Sequence, residues 1–169
     1  DTTSNRNTEG SGSDCSGGAG IQADLKTIAA HKMYGMSAIT ALTAQNTMGV
    51  YGVQEATSEF VSLQLDCIMQ DIFPDSVKIG MVSSAAIIVE IAEKLKQYNP
   101  KNIIVDPVMI STSGSRLLND DAMDALITKL IPLATLITPN IPEAECLSGV
   151  SIKTKEDMQK AAEKIAEQY

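Results

Sequence analysis

The sequence predicts an α/β fold with a mostly parallel central sheet, and three observations carry that expectation. Nearly continuous apolar runs, clearest in Asn102-Ile103-Ile104-Val105-Asp106-Pro107-Val108, alternate with amphipathic helical stretches. Apolar strands separated by helices are what βαβ units, with a sheet covered on both faces, require. A glycine-rich stretch, Ser13-Asp14-Cys15-Ser16-Gly17-Gly18-Ala19-Gly20, leads into an apolar stripe at helical spacing formed by Ile21, Leu25 and Ile28, so a tight loop opens a helix. Finally, 169 residues suit one domain with enough chain to bury a core.

In chain order, Asp1 to Gly12 contains no apolar residue, and residues 1–11 are expected to be disordered or non-native, with the domain running over 12–169. The helix after the glycine loop covers Ile21 to Lys32. Ser37 to Ala44 alternates small or apolar with polar residues and reads as a strand, with Gln45-Asn46-Thr47 just past its end. Val50 to Val53 is a short β-like segment. Ser58 to Ile72 is a helix burying Phe60, Val61, Leu65, Ile68 and Ile72. Ser76 to Val82 reads as a buried strand, Ala85 to Tyr98 as a helix closed by Asn99-Pro100, and Asn102 to Val108 as the next strand. Asp120 to Leu130 is helical, Leu133 to Pro139 a strand, and Asn140-Ile141-Pro142-Glu143 opens another helix with proline near its first turn. Lys155 to Gln168 is a charged amphipathic helix. No strand is expected before the glycine loop and none after the last helix, so the chain reads as cut at both ends.

The net charge of -8 repels phosphate backbones, and no concentrated basic patch offsets it, so nucleic acid is not expected as a partner. Cys15, Cys67 and Cys146 are odd in number, widely spaced and without companion histidines. That argues against a disulfide framework or a zinc site and favours a reducing compartment. No apolar run approaches the roughly 18 residues of a membrane span and no signal-peptide core is present. The chain is expected to be cytoplasmic, with no membrane partner.

Several positions invite chemistry. The first N–H groups of the helix after the glycine loop lack internal partners, so that junction suits a polar or anionic ligand, and Asp24 can accept hydrogen bonds from a donor on it. Gly18-Ala19-Gly20-Ile21-Gln22-Ala23 has the letters of a dinucleotide fingerprint, yet that motif needs a strand before it and an acid about 20 residues on, and neither is expected. A Walker loop is excluded because no Gly-Lys-Ser/Thr follows. Gln45, past a strand end, occupies the address where open α/β sheets bind ligands, or is a solvated loop residue. Asp106 ends a buried strand and needs a partner there: a metal ion, a lysine, backbone N–H groups, or the following loop that it caps. Asn140 and Glu143 have the spacing of a capping box, and could equally order water around magnesium.

These residues form a longer pattern. Gly12-Ser13-Asp14 through Asp24-Leu25-Lys26-Thr27, Ile39 through Thr47, Lys78-Ile79-Gly80-Met81, Val105-Asp106-Pro107-Val108-Met109, Ser113-Gly114 and Ile137-Thr138-Pro139-Asn140-Ile141-Pro142-Glu143-Ala144 closely resemble the hydroxymethylpyrimidine and phosphomethylpyrimidine kinases of thiamine synthesis, in the ribokinase-like superfamily. The resemblance covers nearly everything from Gly12 onward. It implies a three-layer α/β/α sandwich, truncated on its C-terminal side, and two ATP-dependent phosphorylations: of 4-amino-5-hydroxymethyl-2-methylpyrimidine, then of its monophosphate. ATP and Mg2+ are the implied cofactors, the pyrimidine is the implied partner, and a homodimer is an allowed assembly.

By the same resemblance, Gln45 matches the residue that hydrogen-bonds the aminopyrimidine and Asp24 its acidic partner. A ring bearing an exocyclic amine and ring nitrogens needs both an acceptor and an amide offering both functions. Gly12, Met81 and Val108 match close-approach and apolar pocket positions. Asp106, Asn140 and Glu143 match polar residues on the phosphate and magnesium side. The family's Gly-Thr-Gly-Cys loop, which neutralises charge on the transferred group, is absent from this sequence, so no catalytic residue is assigned and no cysteine is carried over. A pyridoxine or pyridoxal kinase of the same superfamily is the enzymatic alternative, with Gln45 and Met81 favouring the aminopyrimidine. A non-catalytic pyrimidine-binding module is the alternative from another class.

Overall fold

The computed structural model describes residues 5–110 and 116–169; Asp1 to Ser4 and the Ser113-Gly114 motif lie outside the described residues. A six-stranded sheet has the order β3-β2-β1-β4-β5-β6, comprising β1 (Arg6–Asp14), β2 (Tyr34–Asn46), β3 (Gly49–Glu55), β4 (Ser76–Ile79), β5 (Ile103–Val105) and β6 (Leu136–Ile137). All neighbours are parallel except β2 and β3, which form an antiparallel outer ribbon. The helices are α1 (Gly20–Ala30), α2 (Ser58–Asp71), α3 (Ala85–Tyr98), α4 (Asp120–Ala125), α5 (Ile141–Ser148) and α6 (Lys155–Gln168).

The first strand corrects the sequence reading. Residues 6–11, expected to be disordered or non-native, form most of β1, which lies inside the sheet rather than outside the domain. Its polar composition offers no apolar side chain to bury, but its backbone finds partners on both edges: Arg6 to Asp14 pair with Tyr34 to Thr43, and Asn7 to Gly10 with Ser76 to Ile79. A ladder along its whole length on one edge and a shorter one on the other decide the conformation where side-chain preference is silent. Asp75 fixes the strand's start, accepting from the Arg6 backbone N–H at 2.8 Å and side chain at 3.4 Å.

Elsewhere the differences are in extent. The strand expected over Ser37 to Ala44 runs on to Asn46, so Gln45 sits within β2, at a register shift in its pairing with β3. The strands expected to reach Val82, Val108 and Pro139 end at Ile79, Val105 and Ile137. Gly80, Asp106 and Thr138 still donate to the neighbouring strand at 3.1, 2.8 and 3.1 Å, but the ladders go no further, and apolar residues such as Met109 are buried in loops instead. The helix after Asn119 continues from α4 as a π turn, Leu126–Leu130, and a short 3-10 turn, Ile131–Leu133.

Helices lie on both faces. α1 covers β1 and β2, where Gly35 lets the helix come so close that a Cβ would meet Leu25 Cδ2 at 2.7 Å. On the opposite face α2, α3 and α4 pack in series and enclose the apolar core, which includes Val61, Val77, Ile79, Ile88, Val105 and Leu130. α5 and α6 pack on each other, and Leu147 and Ile165 join the same core.

Candidate functional site

The strand order fixes where a ligand can enter. From β1 the chain passes through α1 to β2 on one side, while β4 on the other side feeds α3 and β5. Neighbouring strands whose connections leave in opposite directions open a crevice beyond their carboxyl ends. That crevice lies between the loop after β1, which starts at Asp14, and the segment after β4, which starts at Gly80-Met81.

The loop after β1 is built around Asp14. Its carboxylate accepts from Ser16 Oγ and the Ser16 N–H, both at 2.8 Å, from the Gly18 N–H at 3.1 Å and from the Ala19 N–H at 2.9 Å. The Ser16 hydroxyl, followed by the backbone donors, holds this carboxyl below its ordinary range. The N–H groups of Gly18 and Ala19, just ahead of α1, are therefore taken by the protein's own acid, whereas the ligand junction was expected at the first N–H groups of the helix itself. Gly20 must be glycine: its φ is 57°, and a Cβ would lie 2.2 Å from the Gly12 carbonyl oxygen. Gly12 sits at a register shift in the β1–β2 ladder. A strand does precede the glycines, so the missing acid at the end of β2 is what separates this loop from a dinucleotide fingerprint.

Asp24 faces β4. Its Oδ2 accepts from Lys78 Nζ at 2.6 Å, and the same ammonium lies 3.6 Å from Glu9 Oε1 on β1. Burial pulls the Lys78 pKa down, but the hydrogen bond to Asp24 and the charges of Glu9, Asp24 and Asp106 outweigh it and hold the group above its ordinary value. Glu9 is 1% exposed and, among the described residues, neither carboxyl oxygen has a partner within hydrogen-bond distance. Burial, opposed by Lys78 and reinforced by Asp24, pushes its pKa up to about 8. Burial thus favours the protonated form of Glu9 although Lys78 Nζ stands 3.6 Å from its Oε1.

Gln45 lies on the other flank of β1. Its backbone exchanges contacts with Cys15 Sγ at 3.2 and 3.3 Å, and its Oε1 accepts from Thr43 Oγ1 at 3.3 Å. Among the described residues, its amide nitrogen has no hydrogen-bond partner and it shares none with Asp24. The two residues thus flank the β1 loop from opposite sides without touching through a common group. Met81 is 43% exposed at the rim, and Val108 is half-buried after β5.

On the far side of the rim, Asn140 and Glu143 complete a capping box at α5. Glu143 is buried, and besides the Asn140 N–H its carboxylate accepts from the Met109 and Ile110 N–H groups at 3.0 and 3.2 Å. Asn140 Nδ2 donates to the Ile110 carbonyl at 2.8 Å. The pair pins the loop after β5 to the start of α5. Asp106 is half-buried, and among the described residues its carboxylate accepts from Thr138 Oγ1 at 3.3 Å. Among the described residues no cluster of three His, Cys, Asp or Glu side chains is placed to hold a metal. Tested against a magnesium ion that retains its waters, Asp106 has lone pairs to offer, whereas the hydrogen bonds of Asn140 and Glu143 are turned inward.

Three contributors carried no role in the sequence reading: Asp14 as organiser of the loop, Lys78, and Glu9. Lys78 had a signal, a single cation inside the apolar run Val77-Lys78-Ile79. Glu9 had none, because its segment did not read as a strand.

Known proteins share this fold. The family model for phosphomethylpyrimidine kinase matches residues 14–169. A hydroxymethylpyrimidine/phosphomethylpyrimidine kinase of Bacillus subtilis is 50% identical over 154 residues, covering 91% of this chain and 57% of the relative. The crystal structure of phosphomethylpyrimidine kinase from Clostridium difficile superposes with a TM-score of 0.93 at 54% identity, over 98% of this chain and 71% of that one. A Bacillus subtilis pyridoxal kinase, solved as an ADP complex, gives a TM-score of 0.86 at 38% identity, over 98% of this chain and 62% of that one. The chain thus spans little more than half the length of the curated relative. No helix among the described residues is long and apolar enough to cross a membrane. With its ribokinase-like sheet and a family match over nearly its whole length, the chain belongs to the phosphomethylpyrimidine kinase family.

Proposed function

We propose that this chain binds 4-amino-5-hydroxymethyl-2-methylpyrimidine and its monophosphate, and supplies the substrate side of their ATP-dependent phosphorylation. The observation that supports the reading is that Gln45 near the end of β2, Asp24 on α1 beside β4 and Met81 just past β4 come from three elements next to β1. Gln45 offers an amide nitrogen that has no partner among the described residues, Asp24 a carboxylate acceptor already held at one oxygen by Lys78, and Met81 an exposed apolar surface for the ring. Gly12 and Val108 belong to the same rim. The relatives named as kinases for this substrate at 50% identity support the reading.

ATP is the proposed phosphoryl donor, since related kinases are described with ADP or AMP-PCP. Asp106 is the residue proposed to hold magnesium, directly or through water, and the ion would neutralise charge on the phosphates. Asn140 and Glu143 serve the phosphate side by fixing the loop that carries Asp106. In this reading the protein works in the cytoplasm. It is proposed to pair as a homodimer through β3, whose residues are all exposed and include Val50, Tyr51 and Val53; sedimentation of a Tyr51→Lys variant as a monomer would support that pairing.

Calorimetric titration of this chain with the hydroxymethylpyrimidine, and separately with pyridoxal, tests the substrate. Phosphorylation by a version extended to the relatives' length tests the chemistry. Pyrimidine binding here with turnover in the longer version is the expected result. A preference for pyridoxal would move the chain to the pyridoxal kinases, which the 38% identical structural relative keeps in contention. Binding with turnover in neither would make it a pyrimidine-binding module.

A further inference from the structure

Glu9 is a carboxyl group at the centre of the sheet with both oxygens unsatisfied, and such groups persist where they do something. The groups facing it are few. From β4 come Lys78, its lateral partner in the ladder, and Gly80, where a Cβ would stand 3.2 Å from Glu9 Oε1, so glycine leaves the carboxyl its room. From α1 comes Asp24, and from β2 the uncharged Ser37, the register partner on that side. Asp106, after β5, acts on Lys78 from beyond it. One ammonium therefore stands among acids and is committed to Asp24 at 2.6 Å, a full ångström closer than to Glu9.

We propose that Glu9 and Lys78 are positioning residues for Asp24: with Glu9 uncharged, Lys78 belongs to Asp24 and fixes its carboxylate toward the crevice, and ionisation of Glu9 draws Lys78 inward and releases Asp24. The proton leaves Glu9 for solvent and no other bond changes. Two carboxylates then compete for one cation in a site of low dielectric, where sharing an ion pair loosens both geometries. The consequence is a ligand affinity that falls at alkaline pH although the aminopyrimidine itself does not titrate there. This inference rests on the reading that Asp24 contacts the ligand.

The test is the affinity for the hydroxymethylpyrimidine, by calorimetry, from about pH 6 to about pH 9.5, for the wild-type chain, Glu9→Gln and Asp24→Asn, with a 13C carboxyl titration of Glu9 in the wild type. The wild type is expected to weaken about tenfold across that range, and Glu9→Gln, which keeps the shape and cannot ionise, to bind with a flat profile. The Glu9 carbon should titrate with a midpoint near 8, with the Lys78 Nζ resonance moving in step. A Glu9→Gln profile as steep as the wild type's, while Asp24→Asn loses affinity, would overturn the link between Glu9 and Asp24. Wild-type affinity in Asp24→Asn would overturn the proposal through the reading beneath it. Should Glu9→Gln fail to fold, a wild-type Glu9 midpoint near the ordinary 4.5 would overturn it equally.

Discussion

β1 and β5 lie in the same sheet with β4 between them, and they are buried by opposite means. β5 is buried by its own side chains, with Ile103 and Val105 in the core. In β1 the interior stretch Thr8-Glu9-Gly10-Ser11 is equally buried and contains no aliphatic side chain; α1 packs on the strand, and the apolar neighbours lie beside it in the sheet, Ala38 and Ile79 flanking Gly10 and Val77 beside Thr8. A strand can therefore be core by position rather than by composition. The cost is visible in the unpartnered Thr8 hydroxyl and Glu9 carboxyl, which β5 has no equivalent of. The same polarity places an ionisable group beside Lys78, where an apolar strand could carry none.

The widest effect that separates the two strands is with pH. The Glu9 pKa is raised in the folded chain from 4.5 to about 8, so between those values the folded state keeps a proton that the unfolded chain gives up. Stability from this group is complete below pH 4.5 and is lost as pH rises through about 8. The full loss is about 5 kcal/mol, because each tenfold difference in proton affinity between the folded and unfolded chain is worth about 1.4 kcal/mol. Urea unfolding of the wild type should show this decline and Glu9→Gln should not, whereas an identical slope in both would remove Glu9 from the account.

On the β5 side the largest break is at the pin beyond the strand. Glu143→Ala deprives the Met109, Ile110 and Asn140 N–H groups of their acceptor and is expected to cost about 3 kcal/mol in the same measurement. A cost under about 1 kcal/mol would mean that the loop finds other partners.

A reciprocal pair sharpens the contrast. Thr8→Val replaces a buried hydroxyl that has no partner and should gain about 1 kcal/mol, while Val105→Thr introduces one and should lose about 2 kcal/mol. Equal losses in both would show that β1 is tuned for its polar residues. The smallest effect belongs to Gly10, where a Cβ would meet nothing within 4 Å. Gly10→Ala should raise stability by about 0.5 kcal/mol, through reduced freedom of the unfolded strand, and a loss would show that the backbone there needs glycine.

Where side chains announce their burial, the sequence was legible. The helices Ala85 to Tyr98 and Lys155 to Gln168 appear with the expected ends, because Asn99 in a left-handed conformation and the Thr154–Asp157 capping box mark them locally. The capping spacing of Asn140 and Glu143 is realised atom for atom. β1 was illegible because pairing, which is non-local, carries it. The candidate site divides the same way. The rim positions Gln45, Met81, Asp106 and Val108 were located only to within a few residues of a strand end, since Gln45 lies inside β2 and the other three lie beyond strands that stop earlier than expected, whereas the link from Asp24 through Lys78 to Glu9 joins residues brought together only by the α1 crossover and the strand order. The capture of the Gly18 and Ala19 N–H groups by Asp14 is equally a matter of loop geometry that composition does not encode.

The claim on which the rest depends is that an amide and an acid on opposite flanks of the β1 loop together hold an aminopyrimidine. Calorimetric titration of the hydroxymethylpyrimidine into Gln45→Leu at neutral pH tests it most directly. The account predicts affinity weakened at least about tenfold with the fold intact, as expected when a ligand's polar edge loses its hydrogen-bond partner. Affinity equal to that of the wild type would contradict it.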